Sequence, residues 1–398
     1  MVIRTYRVIL GLGCALLTGR CAEAAKVYPA QPGDDLAAVV ARIRAERAGT
    51  KTPCVLELAE GVYPMPQTLE LDARDDGLTI RSRAGVRAVL DGGARITGFK
   101  SFRDGIYVAD VSRLPFVREP FACYGGIGVT NARNLVIDLY RDGEPLVVAR
   151  EPDVGFFKTG KVWNNTKFIF ESPDLEKLGV RGERGLFATG YWRWIWADAS
   201  FTLESIEGTP TPRWQLDAQG AMTGAYSYRN LQPNMPFFVC NSLKFLNRDC
   251  EWVLDRANAK VYVKGRPDAE YVLTAVAGPI LHVKDASGVC VEGMHFRYGR
   301  GNGVEVQNCR GFVFRDNVVE SFGGTGVVCS GGKDCTLEGN SLHTFGYKAA
   351  ILNGGNRTTL TSSGCVFADN EVTDTGRSRR TYSHGVAIGG CGVSVLRN

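Results

Sequence analysis

A chain of 398 residues, 44% hydrophobic and 22% charged, can bury a large core and is not the composition of a disordered protein. Its net charge of +5 is mild and forms no basic tail or stripe, which argues against a nucleic-acid partner. Glycine takes 48 positions, many of them turn-like, so short strands are expected rather than long helices.

The N-terminus reads as an export signal. Arg4 and Arg7 precede a short apolar run, Val8–Leu17, and Ala22-Glu23-Ala24 offers a small-x-small cleavage site. About ten apolar residues are too few to span a bilayer. Arg20 is wrong for a lipoprotein signal at Cys21, so residues 1–24 are expected to be removed near Ala24, giving a secreted or periplasmic protein. No later segment is long and apolar enough to cross a membrane.

Residues 25–100 read as the start of a solenoid. Asp34 or Asp35 can cap a helix running to about Arg47, with Leu36, Val39, Val40 and Ile43 as its apolar face. Such a helix would cover the open strand edges at a solenoid end. Val55–Leu58, Thr68–Leu71, Leu78–Ile80 and the run from Val89 to Gly93 read as early strands.

Over residues 101–276 the period is lost. This region holds all six tryptophans, longer alternating runs and turn signals such as Asp142-Gly143. It is expected to be an inserted antiparallel β-domain, a sandwich in form. Alternation across Tyr191–Trp196 would put Trp192, Trp194 and Trp196 on one strand face, as a sandwich core or as a sugar-stacking row.

From 277 to 398 the chain repeats. Val289–Met294, Phe312–Asn317 and Cys335–Asn340 are spaced at 23 residues; Cys365–Asn370 follows after 30 and Val393–Asn398 after 28. Three short alternating runs per repeat make one turn of a three-stranded parallel coil. The leucine pattern of leucine-rich repeats is absent. One interior file should hold Val289, Phe312, Cys335, Cys365 and Val393, the next Val291, Phe314, Leu337, Phe367 and Val395. Asn317, Asn340, Asn370 and Asn398 should stack as an amide ladder at the following turn, where Asn tolerates the left-handed conformation. The fold expected is all-β: a right-handed parallel β-helix with an N-terminal capping helix and the inserted sandwich-like domain.

The fourth coil is longer because two loops grow, Gly354–Gly364 and Thr375–His384. They flank one strand and can wall a groove in which Arg357, Arg379, Tyr382 and His384 would bind a polysaccharide or oligosaccharide, although a plain solvated basic loop is as good a reading. The outward file beneath would be Glu305, Val328, Leu352 and Ala387, one carboxylate rather than the pair that glycoside hydrolysis uses. Glu305 and Asp369 are therefore weak catalytic candidates. Glu320 and His343, and His282 and His295, read as surface or structural groups. Once Cys14 and Cys21 leave with the signal, ten of the 12 cysteines remain without a Cys-x-x-Cys pair, and the chain has only four histidines. Zinc and redox chemistry are disfavoured, and no cofactor or metal is expected. Calcium enters only if the protein is a polysaccharide lyase or epimerase. A monomer is expected.

Three stretches carry a family likeness. Val136–Asp153 resembles a "strand, Asn/Asp-Gly, strand, Ala-Arg-Trp-Pro-Asn" signature, and Cys250–Arg256 followed by Val261-Tyr-Val resembles a "Gly-Glu-Trp-Tyr-Leu-Asp" hairpin. Gly354–Leu360 and Arg379–Tyr382, leading to Gly389–Gly392, are similar to the long-coil loops of the same proteins. These are the exported right-handed β-helix proteins that include glycoside hydrolase family 141, with fucosidase- and xylanase-type activities. The resemblance implies a glycosidase acting on plant or algal polysaccharide; a lyase or epimerase and a non-catalytic glycan-binding protein are the alternatives on this fold. Glu151 and Asp153 stand where the signature has Trp and Asn, and Asn356 where it has Asp. The family's later coils, which the resemblance makes the source of its carboxylates, do not follow Asn398, so a shortened chain is expected.

Overall fold

The structure, a computed structural model, describes residues 25–50, 52–119, 135–160, 169–171, 179–180, 182–206, 213–217 and 232–398. Residues 1–24, read above as an export signal, lie outside them. No helix among the described residues is long and apolar enough to cross a membrane.

Three parallel sheets wind into a right-handed β-helix. Sheet one stacks eight strands, Lys26–Ala30, Cys54–Leu58, Leu78–Ser82, Cys290–Glu292, Val313–Arg315, Thr336–Glu338, Val366–Ala368 and Ser394–Leu396. Sheet two runs from Leu69–Leu71 through Leu281–Lys284, Val304–Gln307, Val327–Gly332 and Ala350–Gly354 to Val386–Gly390. Sheet three runs from Gly61–Pro64 through Ala88–Asp91, His295–Gly299, Val318–Phe322 and Ser341–Phe345 to Glu371–Thr373. The expected interior files are buried: Val289, Phe312, Cys335 and Cys365 in one, Val291, Phe314, Leu337 and Phe367 in the next. In the last coil, Val395 is half exposed. Asp35 caps the helix Leu36–Arg47 by accepting from the Ala37 and Ala38 amides, and Leu36, Val39, Val40 and Ile43 pack on the first coils.

The asparagine ladder is continuous. Asn317 Nδ2 donates to Asn340 Oδ1 at 3.1 Å, Asn340 to Asn370 at 2.9 Å, and Asn370 to Asn398 at 3.0 Å. Each amide oxygen also accepts from the backbone N–H of the preceding ladder asparagine, and each amide nitrogen reaches a sheet-one carbonyl. The left-handed position falls one residue earlier than expected, on Asp316, Gly339, Asp369 and Arg397, which leaves the asparagine free to point inward.

One register differs from the sequence expectation. Val304, Val327, Ala350 and Val386 are cross-coil partners, so the outward file is Glu305, Val328, Ile351 and Ala387. Leu352 pairs with Cys329 and is buried. Small Ala349 occupies the place of the turn glycines Gly303 and Gly326, and a slip of one residue exchanges the two faces of a strand.

Ala88–Asp91 pairs directly with His295–Gly299, so residues 92–280 leave and return within one turn between sheets three and two. The described part of this insertion forms three mostly antiparallel sheets. The middle one, with Glu251–Asp255, Lys260–Lys264 and Ile106–Asp110 at its centre, is buried on both faces. Trp252, Leu254, Val261 and Val263 face one core; Val253 and Tyr262 face the other. The sandwich thus carries a third layer. Asp142 and Gly143 take φ of +52° and +84° in the tight turn between Leu139–Arg141 and Glu144–Pro145.

Replacing Asn340 by Ala should strip partners from the Asn317 amide and the Phe314 carbonyl inside the helix. Four buried hydrogen bonds at about 0.5–1 kcal/mol each predict a loss of ~2–4 kcal/mol. Urea denaturation should show a lower midpoint; an unchanged midpoint would remove the ladder from the account of stability.

Candidate functional site

The insertion folds back over the turns that join sheets three and two. Those turns are glycine-rich because nothing larger fits. A Cβ on Gly323 would lie 2.5 Å from the Arg300 carbonyl and 2.8 Å from Val136 Cβ. Tyr140 packs against Tyr298 with ring centroids 5.1 Å apart. In this way residues 136–140 of the insertion are seated on the β-helix.

The long-coil loop Thr375–His384 lies along the same edge, not free in solvent. Asp198, buried on the insertion, accepts from the backbone amides of Arg380 at 3.0 Å and Thr381 at 2.8 Å. Its own N–H donates to Thr381 Oγ1 at 2.9 Å. Between loop and insertion lies an open cleft of about 450 Å³. Asp138, Arg150, Phe156, Thr189, Tyr191 and Phe238 line it from the insertion, and Asp374, Arg377, Ser378 and Arg380 from the β-helix.

The charges in this cleft are unevenly matched. Arg377 donates to Tyr140 Oη at 3.2 Å and sits 3.6 Å from the Asp374 carboxylate. Arg150 is held by the carbonyls of Pro152 and Gly155 and stacks over Phe238 at 3.7 Å. Burial lowers its pKa, with the Arg380 charge nearby adding to the effect. Asp138 is 8% exposed, and its Oδ2 has no hydrogen-bond partner. Burial pushes its carboxyl above the usual range, opposed by the Arg377 charge. Asp374 has φ of +44° at the kink that Tyr298, Ser321 and Thr344 occupy in earlier coils.

The tryptophan run is a turn, not a strand. Phe187–Tyr191 and Asp198–Ile206 flank it. Trp192 enters the core and donates through Nε1 to the Ala199 carbonyl at 2.9 Å. Trp194 and Trp196 stack at the surface, centroids 5.2 Å apart and planes at 14°. Trp196 meets Tyr382 edge-on at 6.2 Å, and Tyr382 meets His384 at 6.3 Å. Trp196 and Tyr382 are each a little under half exposed.

The residues singled out in the sequence fall in different places. Tyr382 and His384 join this aromatic patch. Arg379 stacks on Tyr347 at 4.4 Å. Arg357 is exposed on the other long loop, which borders the opposite edge of sheet two. Glu305 accepts from Asn302 at 2.8 Å on the outer face of that sheet. Asp369 sits at the ladder turn, paired with Arg397 at 2.6 Å. Glu305 and Asp369 are on different sides of the helix. Glu320 bridges His295 at 2.7 Å and His343 at 3.4 Å on sheet three, and His282 meets Glu70 at 2.7 Å on sheet two. No group of three metal-ligating side chains is found among the described residues. Sequence reasoning missed Asp138 and Asp374, whose approach depends on how the insertion folds back. Their signals were the apolar Leu135–Val136–Ile137 run leading into Asp138, and Asp374 at the base of the grown loop.

Two outcomes follow. Asp198→Ala should release the loop, so trypsin cuts after Arg377, Arg379 or Arg380 faster, while the thermal transition of the β-helix is little changed. Equal cutting of both proteins would mean that the clamp does not hold the loop. A carboxyl with a raised folded pKa contributes stability below its unfolded pKa and loses it as pH rises through the folded value. Asp138→Asn should therefore match the parent Tm near pH 4 and exceed it increasingly toward pH 8; a constant difference would contradict the burial argument.

Residues 273–398 match the family described as right handed beta helix region. No curated protein matches the chain. A solved structure described as a glycoside hydrolase superposes with a TM-score of 0.52 at 12% identity, covering 93% of this chain and 97% of the other. The complex of XylC with xylose gives 0.39 at 10% identity, over 84% of this chain and 51% of that one. The tailspike gp49 of Pseudomonas phage LKA1 gives 0.22 at 8%, over 90% and 48%. At such identities the likeness is one of fold: the chain carries a right-handed β-helix of a form also found in a glycoside hydrolase.

Proposed function

We propose that this chain is an exported carbohydrate-active protein that binds a plant or algal polysaccharide between its insertion and its long coil, and cleaves glycosidic bonds there. The observation that carries the reading is the cleft, where Asp138 and Asp374 from two distant segments line one open space beside guanidinium groups and exposed aromatic rings. Two carboxyl groups facing a sugar-sized space are what glycoside hydrolysis uses. Trp196, Tyr382 and His384 offer ring faces and edges to pyranose rings outside the cleft. A longer glycan crossing the outer face of sheet two would pass Glu305 and Ile351 and reach Arg357 on the far loop. The resemblance of its motifs to those of glycoside hydrolase family 141 supports the same substrate class, and the signal-like N-terminus supports secretion to the periplasm or beyond. No cofactor enters this reading, and the working unit is a monomer.

Xylan, pectin and fucoidan, titrated calorimetrically against the protein, test it. One of them should bind, and Trp196→Ala and Tyr382→Ala should each weaken binding by about five- to tenfold, the ~1 kcal/mol of a lost ring contact, without lowering Tm. Absence of binding to all three, or binding indifferent to both substitutions, would contradict the proposal.

A further inference from the structure

The floor of the cleft is one face of a sheet built on Phe187–Tyr191 and Pro236–Cys240. Arg150 and Phe187 both pair in register with Cys240, Thr189 pairs with Phe238, and Tyr191 pairs with Asp198, so these side chains share that face. Its two charged groups are differently engaged. Asp198 gives one carboxylate oxygen to each of two loop amides, those of Arg380 and Thr381. Arg150 has only uncharged partners: the Pro152 and Gly155 carbonyls through Nε and Nη2, and the ring of Phe238 beneath it. Its Nη1 has no protein partner and is not sealed from solvent. Across the cleft Arg380 is exposed on the loop, and its guanidinium has no hydrogen-bond or carboxylate partner among the described residues. The carboxylates that could neutralise this pair are committed elsewhere. Asp374 lies beside Arg377, and Asp153 is 3.7 Å from Arg248. Asp138 is buried in the wall, which favours its uncharged form.

We propose that the cleft selects an acidic sugar, whose carboxylate or sulfate group is held between the Arg150 and Arg380 guanidinium groups; this rests on the glycan-binding cleft proposed above. A guanidinium fixed by carbonyls and laid on a ring is ordered before any ligand arrives, and its open N–H edge presents a planar fork to an oxyanion. Phe156, 44% exposed with its ring 5.8 Å from the same guanidinium, offers a surface to the pyranose that carries the anion. A neutral sugar in the same place would strip water from two cations without neutralising either. Burial lowers the Arg150 pKa and the Arg380 charge adds to the effect, as two cations turned to one space should.

Calorimetry on defined oligosaccharides tests the assignment. An oligogalacturonide or a sulfated fucan oligosaccharide should bind about tenfold or more tightly than a xylo-oligosaccharide of equal length, and the tighter of the two acids tells carboxylate from sulfate. Removing the charge of that acid, by methyl esterification or by desulfation, should weaken binding by about tenfold or more. Arg380→Gln leaves the backbone clamp on Asp198 in place and should bring the acid down toward its neutral form. Arg150→Gln should do the same, and the exposed Arg380 variant keeps the test open should the Arg150 variant fail to fold. Equal or tighter binding of the neutral forms, or acid binding indifferent to Arg380→Gln, overturns the selectivity and leaves the cleft standing as a glycan site. A folded parent protein that binds none of these oligosaccharides overturns the selectivity together with the cleft it rests on.

Discussion

The architecture depends on one pairing, that of Ala88–Asp91 with His295–Gly299. Strands of successive coils must sit about 4.8 Å apart with their interior files in line, so the helix accepts no extra layer between coils. A long insertion can therefore leave only at a turn and must return to the same turn. Its closing strands and its seating segment are then forced against the neighbouring turns of the helix. Gly301 and Gly323 make room for that approach, since a Cβ there would strike Ala277 and Leu135 or Val136, while Gly303, Gly324, Gly326 and Gly346 let successive turns of the helix itself close on one another. The same geometry fixes which loop meets the insertion: Thr375–His384 occupies, four coils on, the turn equivalent to the one from which the insertion springs.

The cleft is what remains where the two surfaces do not quite close. Asp198 binds the loop backbone and so holds the gap at a fixed width. Arg377 stands across from the insertion, tied to Tyr140 and Asp374. The two acids have different surroundings: Asp374 lies beside the Arg377 guanidinium, whereas Asp138 is buried with one oxygen unpartnered. Elsewhere on the helix comparable side chains are occupied in pairs, Glu320 between two histidines and Asp369 with Arg397, which gives them places in the packing of successive coils.

Most of the solenoid was legible in the sequence because its constraint is local and periodic. Each interior residue is repeated one coil later, and the ladder asparagines mark the turn. The capping helix was readable from Asp35 and its apolar face. The reading slipped at Ala350, where alanine and glycine are equally small and the face was assigned one residue late. The tryptophan run shows a different limit. Alternation in Tyr191–Trp196 suits a strand, but the tertiary fold makes a turn of it, burying Trp192, half-burying Trp194 and exposing Trp196. Cys335 and Cys365 do meet, together with Cys329 around Gly332, as unbonded thiols in the apolar core. The site was the least legible part. Asp138 and Asp374 are 236 residues apart in a chain whose periodic signal says nothing about how the insertion turns back.

The claim that insertion and long coil together form one glycan site is tested most directly by hydrogen exchange. The parent protein would be compared with and without oligosaccharides of the polysaccharide it binds. Protection should rise in residues 136–150, 189–198 and 374–382 together, because all three segments border the same cleft. Protection confined to the outer face of sheet two, or to the loop 355–364 alone, would contradict the account and move the site to the helix by itself.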